Sequence, residues 1–146
     1  MTKKPFVVLM AEDNEHDIEA TKRVWRKQNI PHPLYIVNNG EECLDYLFHR
    51  GRYSDPDAAP TPGLLLLDLK MPKIGGLSVL KQIREDDRLN CLPVVILTTS
   101  QLQIDKLRCY TLGANAYIQK PIGFSQYAAM LKTLYQFWQF VESPWD

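Results

Sequence analysis

Five short apolar runs punctuate the chain: Phe6-Val-Val-Leu-Met-Ala11, Leu34-Tyr-Ile-Val37, Leu64-Leu-Leu-Leu67, Val94-Val-Ile-Leu97 and Ala116-Tyr-Ile118. None shows the strict alternation of apolar and polar positions expected of a half-solvated strand, and several are β-branched. Each therefore reads as a strand covered on both faces. The leucine run fits a buried helical turn equally well on periodicity, but its brevity and the preceding Gly63 favour a strand. Segments of helical composition lie between or after these runs, at 14–29, 40–50, 76–87, 101–112 and 123–142. Asn14, followed by Glu15 and Asp17, is an N-cap candidate whose acidic first turn complements the helix dipole. Gly113 stands where a C′ residue ends the fourth helix, and Pro93 closely follows the third. Alternating strands and helices imply right-handed crossovers and a parallel sheet with helices on both faces.

The stretch from Gly51 to Gly63, with Pro56, Pro60 and Pro62, reads as an extended surface loop inside the domain. No repeat, low-complexity tract or linker interrupts the 146 residues. The expectation is one domain, 1–146, with no appended output or DNA-binding domain.

Hydrophobic residues make up 45% and charged residues 23%, which excludes wholesale disorder. Seventeen basic residues balance seventeen acidic ones, so the basic excess of a nucleic-acid binder is missing and no nucleic-acid partner is expected. The leucine run is far too short to cross a bilayer, no secretory signal follows Met1, and no membrane partner is expected. Cys43, Cys91 and Cys109 are an odd number without metal-like spacing, as in a reducing compartment, and the expected location is the cytoplasm.

In an open parallel sheet, ligands bind outside the carboxyl ends of the strands. Glu12-Asp13 ends the first strand, Asp68 the third and Thr98-Thr99 the fourth, while the fifth runs into Lys120-Pro121. Carboxylates of Glu12, Asp13 and Asp68 gathered on one rim would repel one another. With Lys120 the formal charges sum to −2 (three negative, one positive), which one hard divalent cation such as Mg²⁺ neutralises. Asp68 can then attack phosphorus as a nucleophile, with Thr98 and Lys120 binding the phosphoryl oxygens. Singly, each of these residues is more simply a turn, cap or loop residue. Their joint placement at strand ends carries the argument.

These pieces, Glu12-Asp13, Asp68-Leu-Lys-Met-Pro72 with Gly75-Gly76, Thr98-Thr-Ser100 and Ala116-Tyr-Ile-Gln-Lys-Pro121, resemble the receiver domains of two-component response regulators over nearly the whole chain. The resemblance implies a flavodoxin-like, doubly wound α/β fold with five helices and strand order 2-1-3-4-5. It implies that Asp68 accepts phosphoryl from a sensor histidine kinase. Glu12, Asp13, Asp68 and the backbone carbonyl of Lys70 would hold Mg²⁺, with Mn²⁺ or Ca²⁺ as stand-ins in a crystal. Thr98, Thr99 and Lys120 would bind the phosphoryl group. Thr98 and Tyr117 would form a switch, and the Lys120-Pro121 peptide would be cis. The effect would pass to a downstream protein or phosphotransfer protein through the face of the fourth helix, fifth strand and fifth helix. Multiple turnover on small substrates is not expected.

The loop at 51–63, the Pro93–Ser100 run and a last helix ending in Phe137-Trp138 are similar to the single-domain regulators paired with phytochromes, which implies a phytochrome-type kinase. Tyr117, Phe124, Tyr127, Tyr135, Phe137 and Trp138 form the expected partner face. The aromatics of the last helix spread too widely for one buried face to take them all, which points to a homodimer. Helical spacing makes core packing the default for Phe124, Tyr127, Leu131, Leu134, Tyr135 and Trp138. Trp25 is expected to pack the first helix on the core, and His16, His32 and His49 to be ordinary surface or helix histidines.

Many receivers carry Asn at the Lys70 position and an acidic or amide residue at Ser100. Here Lys70 is expected to pair with the phosphoryl group and Ser100 to orient water poorly, prolonging the phosphorylated state. The rival reading is a phosphatase of the haloacid-dehalogenase type, which needs a second acid where Lys70 stands. A flavin- or nucleotide-binding domain is a further rival, but its first turn would carry glycines rather than Glu12-Asp-Asn-Glu15.

Overall fold

A computed structural model describes residues 5–145. Strands and helices alternate strictly: β1 Val8–Ala11, α1 Glu15–Lys27, β2 Leu34–Val37, α2 Gly40–Phe48, β3 Leu64–Leu67, α3 Gly76–Glu85, β4 Val94–Thr98, α4 Gln103–Thr111, β5 Ala116–Gln119 and α5 Phe124–Trp138. All neighbours in the sheet pair in parallel, in the order β2-β1-β3-β4-β5, as the resemblance implies.

The leucine run shows why polar alternation is missing. Leu65 and Leu67 point into a core shared with Leu44, Leu47, Leu80 and Ile83 of α2 and α3. Leu64 and Leu66 point the other way, into a core shared with Val24, Tyr127 and Leu131 of α1 and α5. Every position of β1, β3 and β4 is buried, each large side chain contributing about 2 kcal/mol of transfer free energy. Only the edge strands β2 and β5 keep partial exposure.

Local signals set the helix ends. Asn14 Oδ1 accepts from Asp17 N at 3.0 Å, and Asn39 Oδ1 from Glu42 N at 2.7 Å. After α4, Gly113 at φ 98° turns the chain. Gly113 N donates to Tyr110 O (3.0 Å) and Ala114 N to Cys109 O (2.9 Å), the paired bonds of a Schellman motif. α5 stops at Trp138, four residues short of the expected 142, where Phe140 N and Val141 N turn back to Phe137 O and Trp138 O. Gly76 starts α3 directly against the end of β3. A Cβ there would collide with the Asp68 carbonyl oxygen and lie 2.8 Å from Leu69 Cα, so glycine lets the helix close on the strand end.

Two expectations need correction. The 51–63 segment is pinned down rather than simply extended. It opens with a 3-10 turn at Gly51–Tyr53, Ala59 is fully buried, Tyr46 Oη donates to Pro60 O (2.8 Å), and Arg52 pairs with Glu42 (2.9 Å). His32 is no surface histidine. It is 6% exposed and stacks on Phe6 at 3.8 Å, and its Nδ1 accepts from Phe6 N at 3.1 Å. Burial lowers its pKa. Among the described residues its Nε2 is the one buried side-chain polar atom without a hydrogen-bond partner. Trp25 packs beside it and donates from Nε1 to His32 O (2.7 Å). No helix among the described residues is long and apolar enough to cross a membrane.

Candidate functional site

Parallel register carries the strand ends to one place. Ala11 pairs with Leu67 across β1 and β3, so the next residues, Glu12 and Asp68, emerge side by side. Lys120 N donates to Thr98 O at 2.7 Å, extending the β4–β5 ladder by one residue and aiming the lysine at the same rim. Its Nζ lies 2.7 Å from Glu12 Oε2, 2.8 Å from Asp17 Oδ2 and 3.4 Å from Asp68 Oδ2. The Lys120-Pro121 peptide is trans, not cis: no cis peptide occurs among the described residues. The ladder bond already fixes the lysine backbone, and the ammonium reaches the carboxylates from there.

Carboxylate oxygens of Glu12, Asp13 and Asp68 lie within 4.8 Å of one another. Glu12 and Asp68 are buried while Asp13 is exposed, so the cluster opens to water on one side. The donor set, all oxygen with one solvent-facing member, fits a hard divalent cation that keeps several waters. Burial pushes the Glu12 carboxyl up to about 7. The hydrogen bond from Lys120 opposes this, and the Asp68 charge adds to it. For Lys120, burial works against the charge, but its hydrogen bonds to Asp17 and Glu12 and the fields of Glu12 and Asp68 outweigh it, so the pKa sits above normal. With Asp17 included, four carboxylates and one ammonium sum formally to −3, a rim that gains from added positive charge.

Thr98 is fully buried, and its Oγ1 accepts from Ser100 N (3.3 Å), whereas Thr99 is exposed. Half-buried Tyr117 donates from Oη to Ser100 O at 3.0 Å. The two expected switch residues are thus bridged through the backbone of Ser100. Ser100 Oγ is itself committed, donating to Asp105 Oδ2 (2.7 Å) and accepting from Leu102 N (3.2 Å). Lys70 is exposed, and its backbone N lies 3.4 Å from Asp68 Oδ1.

The expected partner face divides. Tyr127 is 4% exposed, with its hydroxyl 3.0 Å from Thr21 Oγ1, so it faces α1 and leaves that face. Phe124 is exposed but lies against Arg23 of α1, 4.7 Å from the guanidinium carbon. Tyr135 and Trp138 are half-buried on the α5 core, and Phe137 is exposed.

Sequence reasoning passed over three things. The sequence marks Asp17 only as an acidic residue of the first turn of α1, suited to the helix dipole. Its hint was a position one helical turn beyond Asp13, which returns it to the same rim. Asp105 gave no signal, since its partner is set by the turn before α4. Along α4, which the resemblance already puts on the partner face, the particular exposed residues Leu102, Ile104, Leu107 and Tyr110 are hidden in the sequence because a buried helix carries similar residues.

Comparison with known proteins gives one family. The model of the response regulator receiver domain matches residues 8–132. Response regulator Rcp1 of Synechocystis sp. is 35% identical over 141 residues, 97% of this chain and 89% of that protein. The crystal structure of the Mn(2+)-bound form of Rcp1 superposes with a TM-score of 0.88 at 33% identity, covering 96% of this chain and 99% of that one. The structure of the phosphorylated cyanobacterial phytochrome response regulator RcpA superposes at 0.90 with 34% identity, covering 97% and 99%. The phosphatase alternative finds no support: the receiver match spans the whole site, and Lys70 stands where the second acid is needed.

Proposed function

Because the chain belongs to the response regulator receiver family, we propose that Asp68 accepts a phosphoryl group from a sensor histidine kinase and that the protein signals through contacts of its surface. The observation that carries this reading is the convergence of Lys120, Glu12, Asp13 and Asp68 on one rim from three strand ends. An Asp68 carboxylate oxygen attacks phosphorus of a phosphohistidine. The P–O bond forms as the P–N bond breaks, and the imidazole leaves with a proton. The carboxylates of Glu12, Asp13 and Asp68 and the Lys70 carbonyl would hold a divalent cation such as Mg²⁺, which would supply positive charge against the phosphoryl oxygens. The Lys120 ammonium adds a second positive charge. Thr98 Oγ1 leaves Ser100 N to donate to the phosphoryl group, with exposed Thr99 at the mouth, and movement of Ser100 is felt at Tyr117.

The similarity to RcpA, a phytochrome response regulator, and to the bacteriophytochrome response regulators RtBRR and AtBRR supports a phytochrome-type kinase as phosphoryl donor. The apolar surface of α4 together with Tyr117 and Phe137 supports a homodimer or a downstream protein or phosphotransfer partner on that face. The protein would act in the cytoplasm as a stoichiometric acceptor rather than a turnover catalyst.

Incubation with acetyl phosphate and Mg²⁺, followed by intact-mass measurement, tests the assignment. One phosphoryl adduct on the wild type and none on Asp68→Asn is the expected result. No adduct on the wild type, or an equal adduct on the variant, overturns it.

A further inference from the structure

Three acceptors share the Lys120 ammonium, and its three N–H groups match them one to one. Two of them, Glu12 and Asp68, belong to the carboxylate cluster suited to a cation. Asp17 does not belong to it, yet its contact with Nζ, 2.8 Å, is shorter than that of Asp68 at 3.4 Å. Taking the phosphoacceptor reading of Asp68 as given, we propose that Asp17 is a positioning residue: it holds the Lys120 ammonium at the site while Glu12 and Asp68 are engaged by cation and phosphoryl group.

The placement of Asp17 suits that role. Its backbone N donates to Asn14 Oδ1 (3.0 Å), and its carbonyl accepts from Thr21 Oγ1 (2.8 Å). Thr21 is fully buried and pairs with the Tyr127 hydroxyl of α5 at 3.0 Å. The backbone that carries the carboxylate is therefore fixed by the first turn of α1 and by the α1–α5 contact, independently of what binds at the rim. Its side chain is 25% exposed, so the contact is sheltered without a carboxylate being sealed away from water. A lysine on a flexible four-carbon stem, released by its other partners, needs such an anchor to keep its charge near the phosphoryl oxygens.

The test times phosphorylation by acetyl phosphate at saturating Mg²⁺ for wild type, Asp17→Ala, Asp17→Asn, Lys120→Met and the double variant Asp17→Ala/Lys120→Met, each checked for native helix content. The expectation is that Asp17→Ala slows the reaction about tenfold in the wild-type background and less than about twofold in the Lys120→Met background. Asp17→Asn stays within about threefold of wild type, since its side-chain oxygen accepts the same N–H.

A second readout needs neither metal nor phosphoryl donor. The Lys120 ammonium signal in proton–nitrogen spectra, identified by its loss in Lys120→Met, should be sharp in the wild type and Asp17→Asn and broadened by faster exchange in Asp17→Ala. Equal slowing in both backgrounds, an Asn variant as slow as Ala, or an ammonium signal unmoved in Asp17→Ala overturns the proposal. Should Lys120→Met be too slow to time, the ammonium signal decides. A wild type that takes no phosphoryl group refutes the acceptor reading instead, and the ammonium signal still decides the role of Asp17.

Discussion

Lys120 and Glu12 meet at 2.7 Å with their side chains 6% and 1% exposed, an ion pair almost sealed from water. Asp68 shares the same ammonium at 3.4 Å with its side chain 8% exposed. Charges so placed stabilise the fold only while their partners stay in position.

Replacing Lys120 by Met strands the Glu12 and Asp68 carboxylates. In the metal-free protein the expected cost is about 3 kcal/mol of stability, the usual penalty for breaking a buried pair. Mg²⁺ should then raise the stability of the variant more than that of the wild type, because the cation restores the missing positive charge. Urea unfolding of both proteins with and without Mg²⁺ checks this. An equal Mg²⁺ increment in the two proteins would show that Lys120 does not offset the charge of this cluster.

His32 predicts a pH dependence on the far side of the molecule from the carboxylate rim. Its pKa is lowered from 6.5 by burial. The unfolded chain therefore takes up the proton first. The contribution of neutral His32 is fully present above pH 6.5 and is lost as pH falls through its lower value in the folded protein. Charging Nδ1 also breaks its acceptance from Phe6 N. Asn at position 32 can accept from Phe6 N without titrating. The expected outcome is a smaller loss of stability in His32→Asn than in wild type between about pH 7.5 and about pH 5.5, read by denaturant unfolding. Identical losses in the two proteins would exclude His32 as the titrating group.

Lys70 and Ser100 bear on how long an acyl phosphate on Asp68 persists. Ser100 Oγ is occupied by Asp105 Oδ2 and Leu102 N, so it is not free to orient a hydrolytic water. Lys70 is exposed with its backbone N 3.4 Å from Asp68 Oδ1, and the expectation is that its side chain pairs with the phosphoryl group. Lys70→Asn should shorten the lifetime of the acyl phosphate several-fold, measured as loss of the adduct by intact mass after the donor is removed. An unchanged lifetime counts against this account.

The alternation of elements and the identity of the rim were legible because each rests on a local signal, whereas the strand order followed only from the family resemblance. Unbroken apolar runs mark strands covered on both faces, and the residues that end them must line one edge of a parallel sheet. Glu12, Asp13, Asp68, Thr98 and Lys120 could all be located in this way. The aromatics of α5 could not be sorted so simply. Helical spacing assigns Tyr127 to a face but does not say what covers that face, and here it is Thr21, more than a hundred residues away in the chain. His32 looked like a lone polar residue until Phe6 and Tyr135 closed over it.

Sequence alone determined the alternation of elements, the balance of basic and acidic residues, the shortness of every apolar run, and the set of charged groups at the strand ends. These follow from side-chain chemistry and short-range periodicity. Only the tertiary structure decided which acceptors share the Lys120 ammonium, how Ser100 links Thr98 to Tyr117, and which aromatics remain open to a partner. Those are contacts between elements, and their distances depend on how helices seat on the sheet, a property that no single segment carries.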